Sequence, residues 1–357
     1  MIKYLGSKRR LVPTLGAICS AVGARSALDL FTGTTRVAQE FKRQGARATA
    51  VDSAGYAHQF AQTYVAIDGG VADRAAIADA LADLERRPDV DGYVTETFCR
   101  RSRFFQAFNG RRIDAMRAAI EVDYRDSWLE PVLLTSLIEA ADRVDSTTGV
   151  QMAYVKQWAA RANNPIELRV PELVPGAGSA HLGDACELVR TVGGFDLAYI
   201  DPPYNQHRYF TNYHIWETLV AWDAPEHYGV ACKRVDARDA HTKTVFNDRR
   251  QMPAALAQVI ADVDAALVVI SYNDEAWVTI EALEAMAAAR GGAVSILAFD
   301  SKRYVGAQIG IHNPQGVKVG EVSRLRNVEY LVLCGEPALV ARAADAVDGA
   351  DAVLSSP

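Results

Sequence analysis

The tetrad Asp201-Pro202-Pro203-Tyr204 carries the most specific chemistry in the chain. It follows the apolar run Leu197-Ala198-Tyr199-Ile200, which reads as a buried strand closed by proline. In an open α/β sheet, ligands collect beyond the carboxyl ends of the strands, so an Asp there faces a crevice. Two prolines fix the backbone and remove two N–H donors. The Pro202 carbonyl is then held rigidly and can accept from an external donor. A carboxylate beside a carbonyl can take both hydrogens of an exocyclic amino group. Tyr204 adds a flat face on which a base can stack.

A second group of acids belongs to another strand-to-turn segment, Asp29-Leu30-Phe31-Thr32-Gly33-Thr34-Thr35. It is not the Gly-rich cradle that a pyrophosphate requires, and the chain has no P-loop. A ligand without phosphate fits better. Asp52 stands 23 residues after Asp29, near the ~20-residue spacing at which an acid grips ribose hydroxyls in dinucleotide folds. An adenosine-bearing, phosphate-free ligand with a positive centre would suit these carboxylates. An Asp at a strand end is also a common helix cap. The third segment, Lys3-Tyr4-Leu5-Gly6-Ser7-Lys8, is by composition a basic stretch and nothing more.

The elements that must position these groups read as follows. A helix begins near Arg9. A strand at Ala27–Phe31, a helix at Val37–Gln44 stopped by Gly45, and a strand at Ala46–Val51 ending in Asp52 make one βαβ unit. From Asp68 to Gly178 the pattern turns helical, with helices expected at 71–87, 110–122, 130–142 and 149–162. Prolines and glycines at Pro165, Pro171, Pro175, Gly176 and Gly178 mark a boundary. The βα rhythm then resumes with strands at Asp196–Ile200 and Ala266–Ser271 and a helix at Val278–Ala289. Closing strands are expected at 293–299, 303–311, 317–322 and 328–334, with a hairpin turn at Asn313-Pro314-Gln315-Gly316. The expected fold class is an α/β open twisted sheet split by a mostly helical insert. Residues 1–67 and 180–335 form the catalytic domain, 68–179 the insert, and 336–357 an Ala/Asp-rich acidic tail that would fray.

Composition is consistent with this. The 357 residues are 50% hydrophobic and 23% charged, which excludes a disordered chain. No stretch approaches the ~20 uninterrupted apolar residues of a membrane span, and no apolar run follows the basic start as in a secretory signal. The five Cys form no CxxC pair, which disfavours zinc or a disulfide framework. His181, His214 and His312 do not make a ligand set, so no metal is expected, and the chain reads as cytoplasmic. Net charge is -6, but basic residues gather at 3–10, 100–125, 233–250 and 302–326, and a basic face on an acidic body can still meet phosphates.

KYLGSK at 3–8, DLFTGT at 29–34, VDS at 51–53 and DPPY at 201–204, in this order, resemble the motifs of the Dam-like class of N6-adenine DNA methyltransferases. The resemblance covers roughly 1–67 and 180–335. It implies a Rossmann-like fold that binds S-adenosyl-L-methionine (AdoMet), with 68–179 as the target-recognition region. Carried over position by position, it implies that Tyr4 and Lys8 help bind AdoMet, that Asp52 grips its ribose, and that Asp201 is the catalytic acid, with Pro202, Pro203 and Tyr204 beside it. Asp29, Phe31 and Gly33 fall in the AdoMet motif. Asp184, in His181-Leu182-Gly183-Asp184, resembles the acid near the cofactor adenine. Thr35 departs from the second Gly of many relatives. The implied reaction is direct methyl transfer to the amino group of an adenine flipped out of the duplex.

Double-stranded DNA is the expected partner. The basic, aromatic-rich stretch Phe98–Phe105 offers Arg100, Arg101 and Arg103, followed by Asn109 and Arg111; Arg reads guanine and Asn reads adenine most often. Arg208, Tyr209 and Asn212 would close over the flipped base, and Lys233 and Arg234 would track phosphates. A restriction enzyme can accompany such a protein, and both a monomer and a dimer are compatible with the sequence. RNA as substrate and a silent DNA-binding scaffold are the alternatives.

Overall fold

The computed structural model describes residues 1–354 apart from Ser7, Tyr204, Asn205, His207 and the stretches 303–310, 313–317 and 321–325. Strands are β1 (Ser26–Asp29), β2 (Arg47–Asp52), β3 (Gly178–Leu182), β4 (Phe195–Ile200), β5 (His227–Tyr228), β6 (Lys233–Arg234), β7 (Ala265–Asn273), β8 (Ala293–Lys302), β9 (Ile311–His312), β10 (Lys318–Gly320) and β11 (Arg326–Gly335). Seven of them form one sheet in the order β3-β2-β1-β4-β7-β11-β8. The first five run parallel, and β11 is antiparallel to both β7 and β8. The chain leaves β1 toward β2 on one side and enters β4 on the other. The switch point, where such sheets bind ligands, therefore lies between β1 and β4.

The central strands are near-continuous apolar runs because both faces are covered. Leu28, Ala198, Ile200, Val268 and Ile270 face the helices Met252–Asp262 and Ile280–Ala289. Their alternates Ala27, Leu197, Tyr199, Leu267 and Val269 face Val12–Val22 and Arg36–Arg43. The expected acidic tail is instead a helix, Pro337–Leu354. Its Val340, Ala343 and Val347 are buried against the same cluster; spaced three and four apart, they form an apolar stripe among the Ala and Asp residues.

The helical segment has the expected helices at Arg74–Arg86, Ala107–Ala119 and Glu130–Val144. The helix expected at 149–162 does not form; only Ala160–Asn163 makes a single 3-10 turn. Gly149 takes φ +111°. The backbone N–H groups of Gln151 and Val155 donate to Asn212 and Ser146 carbonyls instead of to a helix. Tertiary pairing thus overrides local propensity. The helical segment also lacks a core of its own. Leu81, Phe98, Ile113, Leu134 and Ile138 share one cluster with Tyr56, Phe60, Tyr213 and Trp216 from the helices beside the sheet. The expected turn at 313–316 and most of the strand at 303–311 lie outside the described residues.

Candidate active site

A cavity of about 370 Å³ opens at the switch point. Its wall comes from six places along the chain. Tyr4 and Gly6 enter from the first segment, and Leu30 and Phe31 from the end of β1. Asp52, Ser53 and Ala54 follow β2, and Gly183, Asp184 and Ala185 follow β3. Asp201 and Pro203 follow β4, with Tyr209, Phe210 and Glu217 beyond them. Thr242, Lys243, Thr244, Phe246 and Asn247 close the remaining side. A smaller contiguous pocket adds Lys8, Asp29 and Gly33 to Tyr4, Phe31 and Asp201. Nine residues singled out in the sequence for catalysis or cofactor therefore converge here; Pro202 beside them is buried, and Tyr204 lies outside the described residues.

Each acid is set differently. Asp52 accepts from the backbone N–H of Gly33 at 2.8 Å with one oxygen and from that of Ala54 at 2.9 Å with the other. It ties the turn after β1 to the turn after β2, and burial raises its pKa above the usual carboxylate range. Asp29 accepts from Thr32 Oγ1 at 2.8 Å and from Ala38 N at 3.0 Å. It organises the turn that starts the helix Arg36–Arg43, and burial pushes it up to about 7; its hydrogen bonds go to its own turn, so it shapes the cofactor loop from behind. Asp184 caps the short helix Ala185–Leu188 through Cys186 N at 2.7 Å while lining the cavity. Glu217, missed in the sequence, accepts from Gly55 N at 3.0 Å across the fold, and burial pushes it up to about 8.

Asp201 is held by Lys8, whose Nζ lies 3.2 Å from its Oδ1 and 2.6 Å from Oε1 of Glu329 on β11. Burial raises Asp201 to about 6 against the lowering influence of Lys8. The first segment is fixed by more than charge. Tyr4 packs in a three-ring cluster with Tyr213, at 5.1 Å between centroids, and Tyr209, at 5.4 Å, which are themselves 6.3 Å apart. The Tyr213 hydroxyl accepts from Leu5 N at 2.7 Å. Gly33 sits at φ +50°, and a Cβ there would come within 2.9 Å of the Tyr4 hydroxyl. Opposite, Phe31 meets Phe246 edge-on at 5.0 Å. No periodicity pointed to Phe246, Glu217 or Glu329, because only the fold brings them to the site.

The expected DNA contacts separate into two groups. Asn109 is fully buried, accepting from Ile166 N and donating to the Asn164 carbonyl; it braces a loop and is not available to a base. Asn212 is buried as well, and its carbonyl accepts from Gln151 N. Arg234 is buried between Asp223 and Asp236, at 2.6 Å from each, so it is a structural cation and not a phosphate contact. Arg100 pairs with Asp91 and Glu96, Arg101 with Glu96, and Arg111 with Asp89, all at the surface. Arg103 donates to the Lys156 carbonyl and covers the Trp158 ring. Arg208 is exposed immediately before Tyr209, and half-buried Lys233 lies over Tyr228.

Residues 4–286 match the model of the D12 class N6 adenine-specific DNA methyltransferases. The chain belongs to this family. Its activity is AdoMet-dependent methylation of adenine in DNA, and its seven-stranded α/β sheet is a Rossmann-like methyltransferase fold. It is similar to the type II methyltransferase M.NlaIII of Neisseria lactamica, 28% identical over 78% of this chain and 85% of that protein. It also resembles M.FokI of Planomicrobium okeanokoites, 25% identical over 81% and 47%, and the modification methylase StsI of Streptococcus sanguinis, 27% identical over 79% and 45%. The chain thus spans most of the first relative and under half of the other two.

The cavity fits the cofactor. Asp52, Asp184 and Asp201 stand on its wall, with Glu217, which burial keeps protonated up to about 8, against one cation, Lys243. That excess suits a sulfonium centre. Carboxylate acceptors suit ribose hydroxyls and an adenine amino group, and the Phe31–Phe246 pair offers an apolar edge to a ring.

Proposed function

We propose that the protein is a site-specific methyltransferase acting on adenine in double-stranded DNA, of the Dam-like type, with Asp201 as its catalytic group. The observation that carries this is the place of Asp201: half-sunk in the cavity wall after β4, held by Lys8, beside the acids that would hold the cofactor. Asp52 would hold the ribose and Asp184 the adenine of AdoMet, with Tyr4, Phe31 and Gly33 shaping the wall between them. Bound there, AdoMet supplies an electrophilic methyl group.

The chain's own residues do the rest. Asp201 and the Pro202 carbonyl take the two amino hydrogens of the target adenine and turn the nitrogen lone pair out of the ring plane. Tyr204 stacks on the base. Fixing that geometry is worth more than any acid–base step, since well-oriented groups gain on the order of 7–11 kcal/mol. The base must leave the duplex to reach the cavity. The helical residues 68–179 serve as the target-recognition region; supporting this are the surface cations Arg100, Arg101, Arg103 and Arg111, with Arg208 and Lys233 nearer the cavity. A restriction enzyme of the same specificity accompanies such a protein in the cytoplasm, as the modification-methylase names of two relatives support.

Unmethylated plasmid is incubated with the protein and AdoMet, and its nucleosides are resolved by mass spectrometry. N6-methyladenine is expected from the native protein, with Asp201→Ala retaining DNA but losing turnover. An active Asp201→Ala would overturn the assignment.

A further inference from the structure

Adding a methyl group to an adenine amino nitrogen forms an N–C bond as the donor's S–C bond breaks, and one N–H proton must leave. Resting on Asp201 as the group that holds that nitrogen, we propose that Lys8 and Glu329 form the exit route for this proton. Asp201 takes the proton from the nitrogen. Lys8 takes it from Asp201 while releasing one of its own to Glu329, so the ammonium charge is unchanged and Glu329 ends protonated. No further reactant is needed.

Three observations lead to this. The chain of contacts is continuous, 3.2 Å from Asp201 to Lys8 and 2.6 Å from Lys8 to Glu329. It leads away from the cavity: Asp201, 17% exposed, faces the space that adenine and cofactor would fill, whereas Glu329, 19% exposed, reaches water off the cavity wall. Glu329 stands on β11, beyond β7 from Asp201's strand, and pairs in register with Asn273. It is absent from the cavity wall and has no part in holding substrate. An alternative acceptor is Asp29, whose charge also faces Asp201. Asp29 is only 1% exposed and is occupied by Thr32 and Ala38, so a proton placed there has no way to water. Tyr199, the other titratable group facing Asp201 among the described residues, is buried with its pKa raised well above the ordinary value. The elevated pKa of Asp201 is consistent with a carboxylate that can hold a proton briefly.

The test is single-turnover methylation by Glu329→Gln and Glu329→Ala across pH 6–9, with AdoMet and DNA dissociation constants measured alongside. The expected result is a rate about a hundredfold or more lower in both variants, the lower end of the usual scale of a lost proton-transfer group. AdoMet and DNA affinities stay within about twofold. Added formate restores Glu329→Ala but neither Glu329→Gln nor the native protein. A merely structural Glu329 predicts loss without rescue, or weakened AdoMet binding. Either result, or native rates in both variants, overturns the relay. Failure of the underlying assignment is separable: it would appear as full activity in Asp201→Ala.

Discussion

Replacing Arg234 separates its two possible uses, phosphate contact and internal brace. Its guanidinium is 6% exposed, with Nη1 and Nη2 reaching Asp223 at 2.8 and 2.6 Å, and Nε and Nη2 reaching Asp236 at 3.0 and 2.6 Å. It also lies over Phe210, a residue of the cavity wall, at 5.7 Å. Removing one partner of a fully buried pair costs about 3–5 kcal/mol. Here the acids left behind are 41% and 28% exposed, so water recovers part of that, and about 2–3 kcal/mol is expected for Arg234→Met. For a chain of this size that lowers Tm by roughly 3–4 °C, read by calorimetry. The slope of log affinity against log salt for duplex DNA should stay as in the native protein. A lost phosphate contact would instead reduce that slope by about 0.9 while leaving Tm alone. An unchanged Tm with a shallower slope would refute the structural assignment.

Two further substitutions probe the cavity. Gly33→Ala combines a left-handed backbone with a Cβ 2.9 Å from the Tyr4 hydroxyl; a cost of about 1–2 kcal/mol and a roughly tenfold weaker AdoMet Kd by calorimetric titration are expected, and native affinity would show that Tyr4 does not need this turn. Glu217 is pushed up to about 8 by burial, so between the unfolded carboxylate value and about 8 the folded state holds the extra proton and stability falls as pH rises. Glu217→Gln, which still accepts from Gly55 N, should therefore lose roughly 3–5 °C less in Tm than the native protein between pH 6 and 9, and parallel Tm profiles would count against a protonated Glu217.

What the sequence could and could not disclose follows from how far each interaction reaches along the chain. DPPY after LAYI is a local statement: a strand, a forced turn and a carboxylate whose direction the sheet dictates. Asp52 was legible for the same reason, one βαβ unit from Asp29. The acids' second duties were not legible, because Asp52 holding Gly33 N and Glu217 holding Gly55 N depend on which turns meet. Charge misled most. An Arg in a basic stretch looks the same whether it stands exposed, like Arg208, or is closed between two aspartates, like Arg234, whose partners stand 11 residues before it and 2 after it. Asn109 shows the same limit, since its amide serves a loop 55 and 57 residues away. The helix expected at 149–162 failed because Gln151 and Val155 found partners in other segments. Residue type fixes what a group can do, and the long-range partner decides whether it is free to do it. In the wall of this cavity the local signals and the long-range partners agree, which is why the chemistry was readable from the sequence, whereas for Asn109, Asn212 and Arg234 the long-range partners had already taken the groups that local signals offered to DNA.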